Sequence, residues 1–308
     1  MTSIDSTISK RLIFAIALTS ITLVAEIVGG IWSNSLALLS DAGHVFLDLF
    51  ALLLSLGAIK LASQPPNEQH SYGWHRAEVL AGLINGLTVF IMAIGILYEG
   101  SKRLISPEEV KTTPMLVIAV LGLIANLLAA KGLHGHSHDD LNVRSAFLHV
   151  IGDAAASVGV IVGALLMHYT GWYQVDPVIS IAIGLLILTG AGRVLREAVH
   201  ILMEGVPRGL SVEQVAAEIR EIEGVLDIHH LNIWTVCSHI LALSAHIEID
   251  PTYEGERSRL LHTIEQELQH KFHITHTTIQ LDCSTCSGGP LIKALDHQQR
   301  AACTHGHS

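Results

Sequence analysis

The sequence predicts an α-helical membrane protein with six transmembrane helices, followed by a small α+β domain of the ferredoxin-like αββαβ type. Three observations predict it. Of the 308 residues, 50% are hydrophobic and only 15% charged, with a mean hydropathy of +0.47; soluble domains carry about 25% charged residues. Six stretches are apolar over close to the ~20 residues a helix needs to cross a bilayer. Beyond Glu204 these long runs give way to short segments of helical and alternating periodicity.

The spans run roughly Leu12–Trp32, Leu36–Ala62, Val79–Gly100, Pro114–Ala130, Ala146–Tyr169 and Pro177–Leu195. The apolar run after Lys10-Arg11 is longer than a signal-peptide core and lacks a small-residue cleavage site, so it is read as a retained first span. Six spans place both termini on one side. Lys10, Arg11, Lys60, Arg76, Lys131, Arg144, Arg193 and Arg196 would lie there, against Lys102, Arg103 and Lys111 opposite. The bias puts both termini in the cytoplasm, with the third-to-fourth loop running mildly against it. A compact chain with short loops suits a bacterial inner membrane.

The soluble part reads α-β-β-α-β. Ser211-Val-Glu-Gln214 is a capping-box start for a helix. Val225–Val236 is apolar and branched enough for a strand. ILALSAHIEID then alternates, with Leu241, Leu243, Ala245, Ile247 and Ile249 on one face and His246 and Glu248 on the other. Ser238-His239 supplies the hairpin turn between them. Leu260, Ile264, Leu268 and Phe272 mark one face of a second helix, and TTIQLD makes the third strand. Such a unit packs its helices on one face of the sheet. The domain plan is an N-terminus 1–11, a membrane domain 12–204 with a His-rich loop 131–144, a soluble domain 205–290 and a His-containing tail 291–308.

Composition excludes several functions. A formal net charge of −10 argues against nucleic-acid binding. No phosphate-binding P-loop motif is present, so nucleotide-driven pumping is not supported. Four cysteines, two of them as Cys283-x-x-Cys286, do not make a disulfide framework. Histidine is the anomaly: 20 residues, against 18 Lys and Arg together.

The chemistry sits where charge costs most. DAGHVFLD lies inside the second span and places His44 four residues before Asp48; HVIGD in the fifth span repeats the spacing with His149 and Asp153. Residues four apart share a helix face. If the two faces oppose, two imidazoles and two carboxylates converge as a tetrahedral N₂O₂ set suited to Zn²⁺. Charged groups at mid-membrane cost a few kcal/mol each on insertion scales. A divalent cation, or protons in its place, relieves that cost. Asp41, three before His44, is read as a cap for the start of the embedded helix or an outer acceptor. Glu26, Asn85, Glu99 and Asn126 are read as interhelical hydrogen-bonding or interface residues. Asp176-Pro177 is read as the N-cap and first residue of the sixth helix. The alternating His134, His136 and His138 on the fourth-to-fifth loop form a flexible, low-affinity metal collector.

These stretches together carry a resemblance. NSLALLSDAGHVFLDLFALLLSLGA, SYGWHRAEVLAGLINGL, HVIGDAAASVGVIVGALL, Asp176-Pro177 and a mixed C-terminal domain follow one another in the order of the cation diffusion facilitator family. The chain is most similar to its zinc-exporting members. The resemblance implies a homodimeric zinc/proton antiporter whose transport site is His44, Asp48, His149 and Asp153. His at position 44 leans towards Zn²⁺, with Cd²⁺, Co²⁺ and Ni²⁺ as further cargo. It also implies zinc sites in the cytoplasmic domain at His229, His246, Asp282, Cys283 and Cys286, drawing the two subunits' domains together; the pattern leaves either His229 or His230 as the ligand. In some relatives the loop between spans two and three binds zinc through an acid and two histidines. Here Glu68, His70 and His75 are the candidates, but Trp74 stands where the second histidine is expected and Asn67 replaces an acid. Two other readings use the same residues: a membrane-bound metal sensor and an intramembrane metalloenzyme. A hydrolytic zinc site keeps three protein ligands and an open position, which fits a four-ligand set poorly.

Overall fold

The computed structural model describes residues 3–134, 141–237, 240–283 and 289–293, with the backbone alone for 3–17, 129–134, 141–150 and 283. Six long helices lead: α1 (Ser3–Ser33), α2 (Leu36–Ala62), α3 (Arg76–Ile105), α4 (Thr112–His134), α5 (Leu141–Thr170) and α6 (Val175–Leu202). Most outrun the apolar stretches that announce them, because a helix does not end where its hydrophobicity does. α3 continues through Glu99 and Arg103, which pair one turn apart at 3.2 Å. Stretches long and apolar enough to cross a membrane are Leu36–Ala62, Arg76–Ile105, Ile151–Thr170 and Val175–Leu202. α1 and α4 contribute shorter apolar stretches, Leu18–Ser33 and Thr112–Leu128, among the described residues.

Polarity across these helices is inverted relative to a soluble protein. Ile21, Leu53, Ile91 and Leu186 point outward, while Glu26, Ser40, Asp41, Ser157, Asp176 and Ser180 are buried. In water that exposed surface would be a large aggregation-prone patch; against lipid it is the favourable side, and Ser40, Asp176 and Ser180 find hydrogen-bond partners inside the bundle.

The chain forms two compact units, residues 1–57 with 81–196, and 58–80 with 197–308. In the first, Ala37 and Leu38 of α2, Met115 and Ala119 of α4, Val160, Ala164 and Met167 of α5 and Val175 of α6 share one buried cluster. A separate cluster joins α3 to α6 through Ala93, Ile96 and Ile187.

The second unit contains α7 (Val212–Arg220), β1 (Val225–Cys237), β2 (Ile240–Ile249), α8 (Arg257–Phe272) and β3 (Ile274–Cys283), with a short 3₁₀ turn, Pro251–Glu256, before α8. The expected αββαβ order is what forms. β1 and β2 pair antiparallel, and β2 and β3 parallel, in the sheet order β1-β2-β3. The Ser238-His239 turn lies outside the described residues, but the ladder closes around it at Cys237 and Ile240. Val215 and Ile219 of α7 and Ile264 and Leu268 of α8 pack on Ile228, Ile233, Leu243 and Ile247 of the sheet. Both helices thus cover one face, and the polar alternate positions of β2 line the other. Ser211 caps α7, accepting from the Gln214 N–H at 3.4 Å and donating to Glu213 at 2.8 Å.

One turn in this domain requires glycine. Gly224 enters β1 with φ +94°, and a Cβ there would come within 2.9 Å of the Tyr253 ring. Gly224→Ala is expected to destabilise the domain by about 1–3 kcal/mol through strain at positive φ. Thermal unfolding of the detergent-solubilised chain reads this, and an unchanged midpoint would contradict it.

Candidate metal centres

The helical repeat puts His44 and Asp48 on one face of α2, and α5 brings Asp153 against it. His44 Nε2 lies 3.7 Å from Asp48 Oδ2 and 3.9 Å from Asp153 Oδ1. One ligand atom from each of the three lies within 4.8 Å of the others. A cation with ligand distances near 2 Å fits between such atoms after small adjustments. The side chains of His44 and Asp48 remain about a third exposed, at 31% and 36%, and that of Asp153 13%. His149 sits one helical turn before Asp153 on α5; its side chain lies outside the described residues.

Two residues around this group play different parts from those their sequence positions suggest. Asp41 does not start a helix: it is buried inside α2, five residues past Leu36. Nor does Asp176 cap its own helix. It lies within α6, and its carboxylate accepts from the Ser35 hydroxyl at 2.6 Å and from the Leu36 and Ala37 N–H groups at 2.7 and 3.2 Å. The helix it caps is α2. The reason is spatial: α6 begins beside the first turn of α2, whose open N–H groups attract a carboxylate.

Sequence reasoning passed over Glu26 as a structural residue. It is 3% exposed on α1, and its Oε2 has no hydrogen-bond partner among the described residues. A lone Glu in an apolar span is the signal that marks it.

A second group forms on the polar face of the sheet. His229 and His246 are cross-strand partners, and Asp282 follows on β3. His246 Nδ1 lies 3.1 Å and His229 Nε2 3.8 Å from Asp282 Oδ2. His230 joins them, its ring centroid 4.9 Å from that of His229 and 5.0 Å from that of His246. Strict alternation would send His229 and His230 to opposite faces. A bulge between His229 and Asn232, with His230 at φ +53°, turns both to the same side. The choice between the two histidines therefore dissolves, since the structure gathers both.

Charge and burial suit this group to a cation. Burial alone would raise the Asp282 carboxyl, but hydrogen bonds from Gln280 and His246 and the neighbouring imidazoles hold it below the usual carboxylate range. Desolvation, then Lys293 and the adjacent histidines, hold His230 below the ordinary imidazole value. His229 is buried with no hydrogen-bond partner for its Nδ1 among the described residues. Three imidazoles and a carboxylate make a zinc-type donor set. Cys283 ends β3 next to Asp282; its side chain, and all of Cys286, lie outside the described residues.

The loop candidates are not gathered in this way. His70 stacks on Trp74 with ring centroids 3.9 Å apart. Asn67 spends its side-chain oxygen on the N–H groups of Gln69 and His70, as a turn residue. Among the described residues, the groups of three or more possible ligands are the two above, and neither contains Glu68, His70 or His75. His134 ends α4 with its side chain outside the described residues, and His136 and His138 lie outside them altogether.

Comparison with known proteins gives the family. A model of the cation efflux transmembrane domain matches residues 12–203, and one of the cation efflux protein cytoplasmic domain matches residues 207–283. The chain is 40% identical over 277 residues to the metal cation efflux system protein CzcD of Cupriavidus metallidurans, covering 90% of this chain and 87% of that protein. It is 40% identical over 276 residues to the cadmium, cobalt and zinc/H(+)-K(+) antiporter of Bacillus subtilis, covering 89% and 88%. With the zinc transporter ZitB of Escherichia coli it shares 38% over 282 residues, covering 91% and 89%. Two apolar helices carrying a shared His and Asp group, a metal-type cluster on a small sheet and matches over nearly the whole length place the chain in the cation efflux family, the cation diffusion facilitators.

Proposed function

We propose that this protein exports metal cations across the bacterial inner membrane, exchanging cytoplasmic Zn²⁺ for protons through His44, Asp48, His149 and Asp153. The observation that carries the reading is the convergence of His44, Asp48 and Asp153 from two membrane helices. Relatives named for zinc transport and for cadmium, cobalt and zinc antiport support it. Cd²⁺, Co²⁺ and Ni²⁺ are the other cations this donor set accepts.

The exchange follows from the ligands. Carboxylates and imidazoles bind a cation only when deprotonated, so metal arrival displaces protons and protons displace metal. Imidazole is the side chain suited to this near neutral pH. In an apolar surrounding the unliganded carboxylates are costly, so the site passes between a metal-loaded and a protonated state. Both termini and the C-terminal domain lie in the cytoplasm, and the protein works as a homodimer, in keeping with the positive-inside bias and with the match to the family's cytoplasmic domain. In that domain His229, His230, His246 and Asp282 would hold a regulatory Zn²⁺, with Cys283 and Cys286 as thiolate ligands. His134, His136 and His138 serve as a collector on their loop.

Reconstitution in vesicles loaded with a zinc dye and a pH dye tests the reading. Zinc flux one way is expected to drive proton flux the other way, and lowering the pH on the metal-loading side is expected to slow it. Zinc that binds but never crosses, or that crosses without moving protons, would sink the exchange.

A further inference from the structure

The N-terminal end of α2 is tied to two other helices. Asp176 of α6 is fully buried and accepts three hydrogen bonds: Ser35 hydroxyl and Ala37 N–H on Oδ1, Leu36 N–H on Oδ2. Arg103 of α3 donates to the carbonyl oxygen of Asn34 at 2.9 Å and to its side-chain oxygen at 3.2 Å. Asn34, at φ +57°, is the residue that turns the chain from α1 into α2. Ser35 already accepts from the Leu38 N–H at 3.1 Å and so caps the helix locally. A second, buried carboxylate from a distant helix is more than a cap needs, and burying it costs desolvation. Its effect is to fix where α2 lies along its own axis relative to α6.

α6 in turn is packed on α5. Val175 shares a buried cluster with Val160, Ala164 and Met167 of α5, and Gly163 of α5 faces Ile179 so closely that a Cβ would lie 2.3 Å from its Cδ1. The line of contact therefore runs from α2 through Asp176 and α6 to α5, the helix that carries Asp153. His44 lies about 12 Å along α2 from Leu36. A rigid helix passes any axial slip at its first turn undiminished to His44 and Asp48.

We propose that Asp176 is a positioning residue for the transport site: by holding the axial register of α2 it sets the spacing of His44 and Asp48 against Asp153, and with it the preference for a small cation over a larger one. This rests on the reading of His44, Asp48 and Asp153 as the transport site. Zinc needs four short ligand distances of about 2.0–2.2 Å at once. A larger divalent cation such as Cd²⁺ tolerates a looser set. Loosening the anchor therefore weakens zinc more than cadmium.

The test measures half-saturating Zn²⁺ and Cd²⁺ concentrations for transport by the full chain in vesicles. In Asp176→Asn the amide must turn an N–H towards one of the three donors, so one bond is lost and replaced by repulsion. The half-saturating zinc concentration is expected to rise about tenfold or more, as for loss of an outer partner of a metal ligand, with the zinc-to-cadmium ratio rising about threefold. Ser35→Ala removes the hydroxyl's bond to Asp176 together with the local cap on the Leu38 N–H, but keeps the carboxylate with its two backbone donors, so it should move the ratio the same way by less; it decides the matter if Asp176→Asn does not fold. A purely structural role lowers the maximal rate for both metals alike, and an unchanged ratio in the folded variants overturns the proposal. Asp48→Ala is the control for the site itself: if it transports both metals like wild type, the site reading fails whatever Asp176 does.

Discussion

Asp153→Ala is expected to lower zinc flux in vesicles by at least about a hundredfold, since even the outer partners of metal ligands are worth 10–100-fold in affinity. Among the described side chains of this group, Asp153 alone comes from α5, while His44 and Asp48 share a face of α2. Without it the α2 pair has no carboxylate opposite. The side chain is also the least exposed of the three, at 13%, so water replaces it poorly. Asp48→Ala should act in the same direction. Stability gives an independent readout with a definite sign. A ligand that binds only the folded state raises the unfolding midpoint, so zinc should raise it less in either variant than in wild type. Without zinc, removing a carboxylate from a crowded acidic group relieves repulsion, and the variant should unfold no earlier than wild type. Flux at more than half the wild-type rate, with protein amounts matched, would refute the assignment. An early-unfolding variant in the absence of metal would mean that Asp153 acts by holding helices together.

His246→Ala is the second large effect. It should remove zinc binding at the C-terminal group, weakening affinity by about a hundredfold or more, while zinc still crosses the membrane. His246 is the hub of this group: 3.1 Å from Asp282, with the rings of His229 and His230 within 5.4 and 5.0 Å. Zinc titration of the full chain in an Asp48→Ala/Asp153→Ala background isolates the site. The pH dependence also has a predicted form. Asp282 is held below the usual carboxylate range and His230 below 6.5, so both are ready for a metal at pH 7. Binding should weaken on acidification, because protons compete with the metal for its ligands. A binding stoichiometry unaltered by His246→Ala would refute the site, and a loss of flux as large as that of Asp153→Ala would show that the two groups are not separable.

Much of the fold was legible because it follows from local pattern. Mean hydropathy and span length announced the membrane helices; where the helices end was not legible, because helices such as α1 and α3 continue beyond the apolar spans into polar sequence. The αββαβ order followed from period-2 and period-3.6 patterns that match the core, as with Leu243, Ile247, Ile264 and Leu268. His44 and Asp48 could be paired from the sequence because a helix repeats every 3.6 residues. His230 could not be placed, because a one-residue bulge inverts the face that alternation predicts, and nothing in the His-His pair marks the bulge.

What the sequence alone determined is the relations carried within a regular element: which residues share a helix face, which positions of an unbulged strand face the core, and where charge sits in an apolar run. What only the tertiary structure decided is every relation between elements. It brought Asp153 to His44, gathered His229, His230, His246 and Asp282, made Asp176 the cap of α2 rather than of α6, and left Glu26 buried with one oxygen that has no hydrogen-bond partner among the described residues. The physical reason is range. Helix and strand periodicities are set by neighbouring backbone bonds, so they can be read along the chain. A buried carboxylate instead takes whichever donors packing brings within about 3 Å, and for Asp176 those lie about 140 residues away.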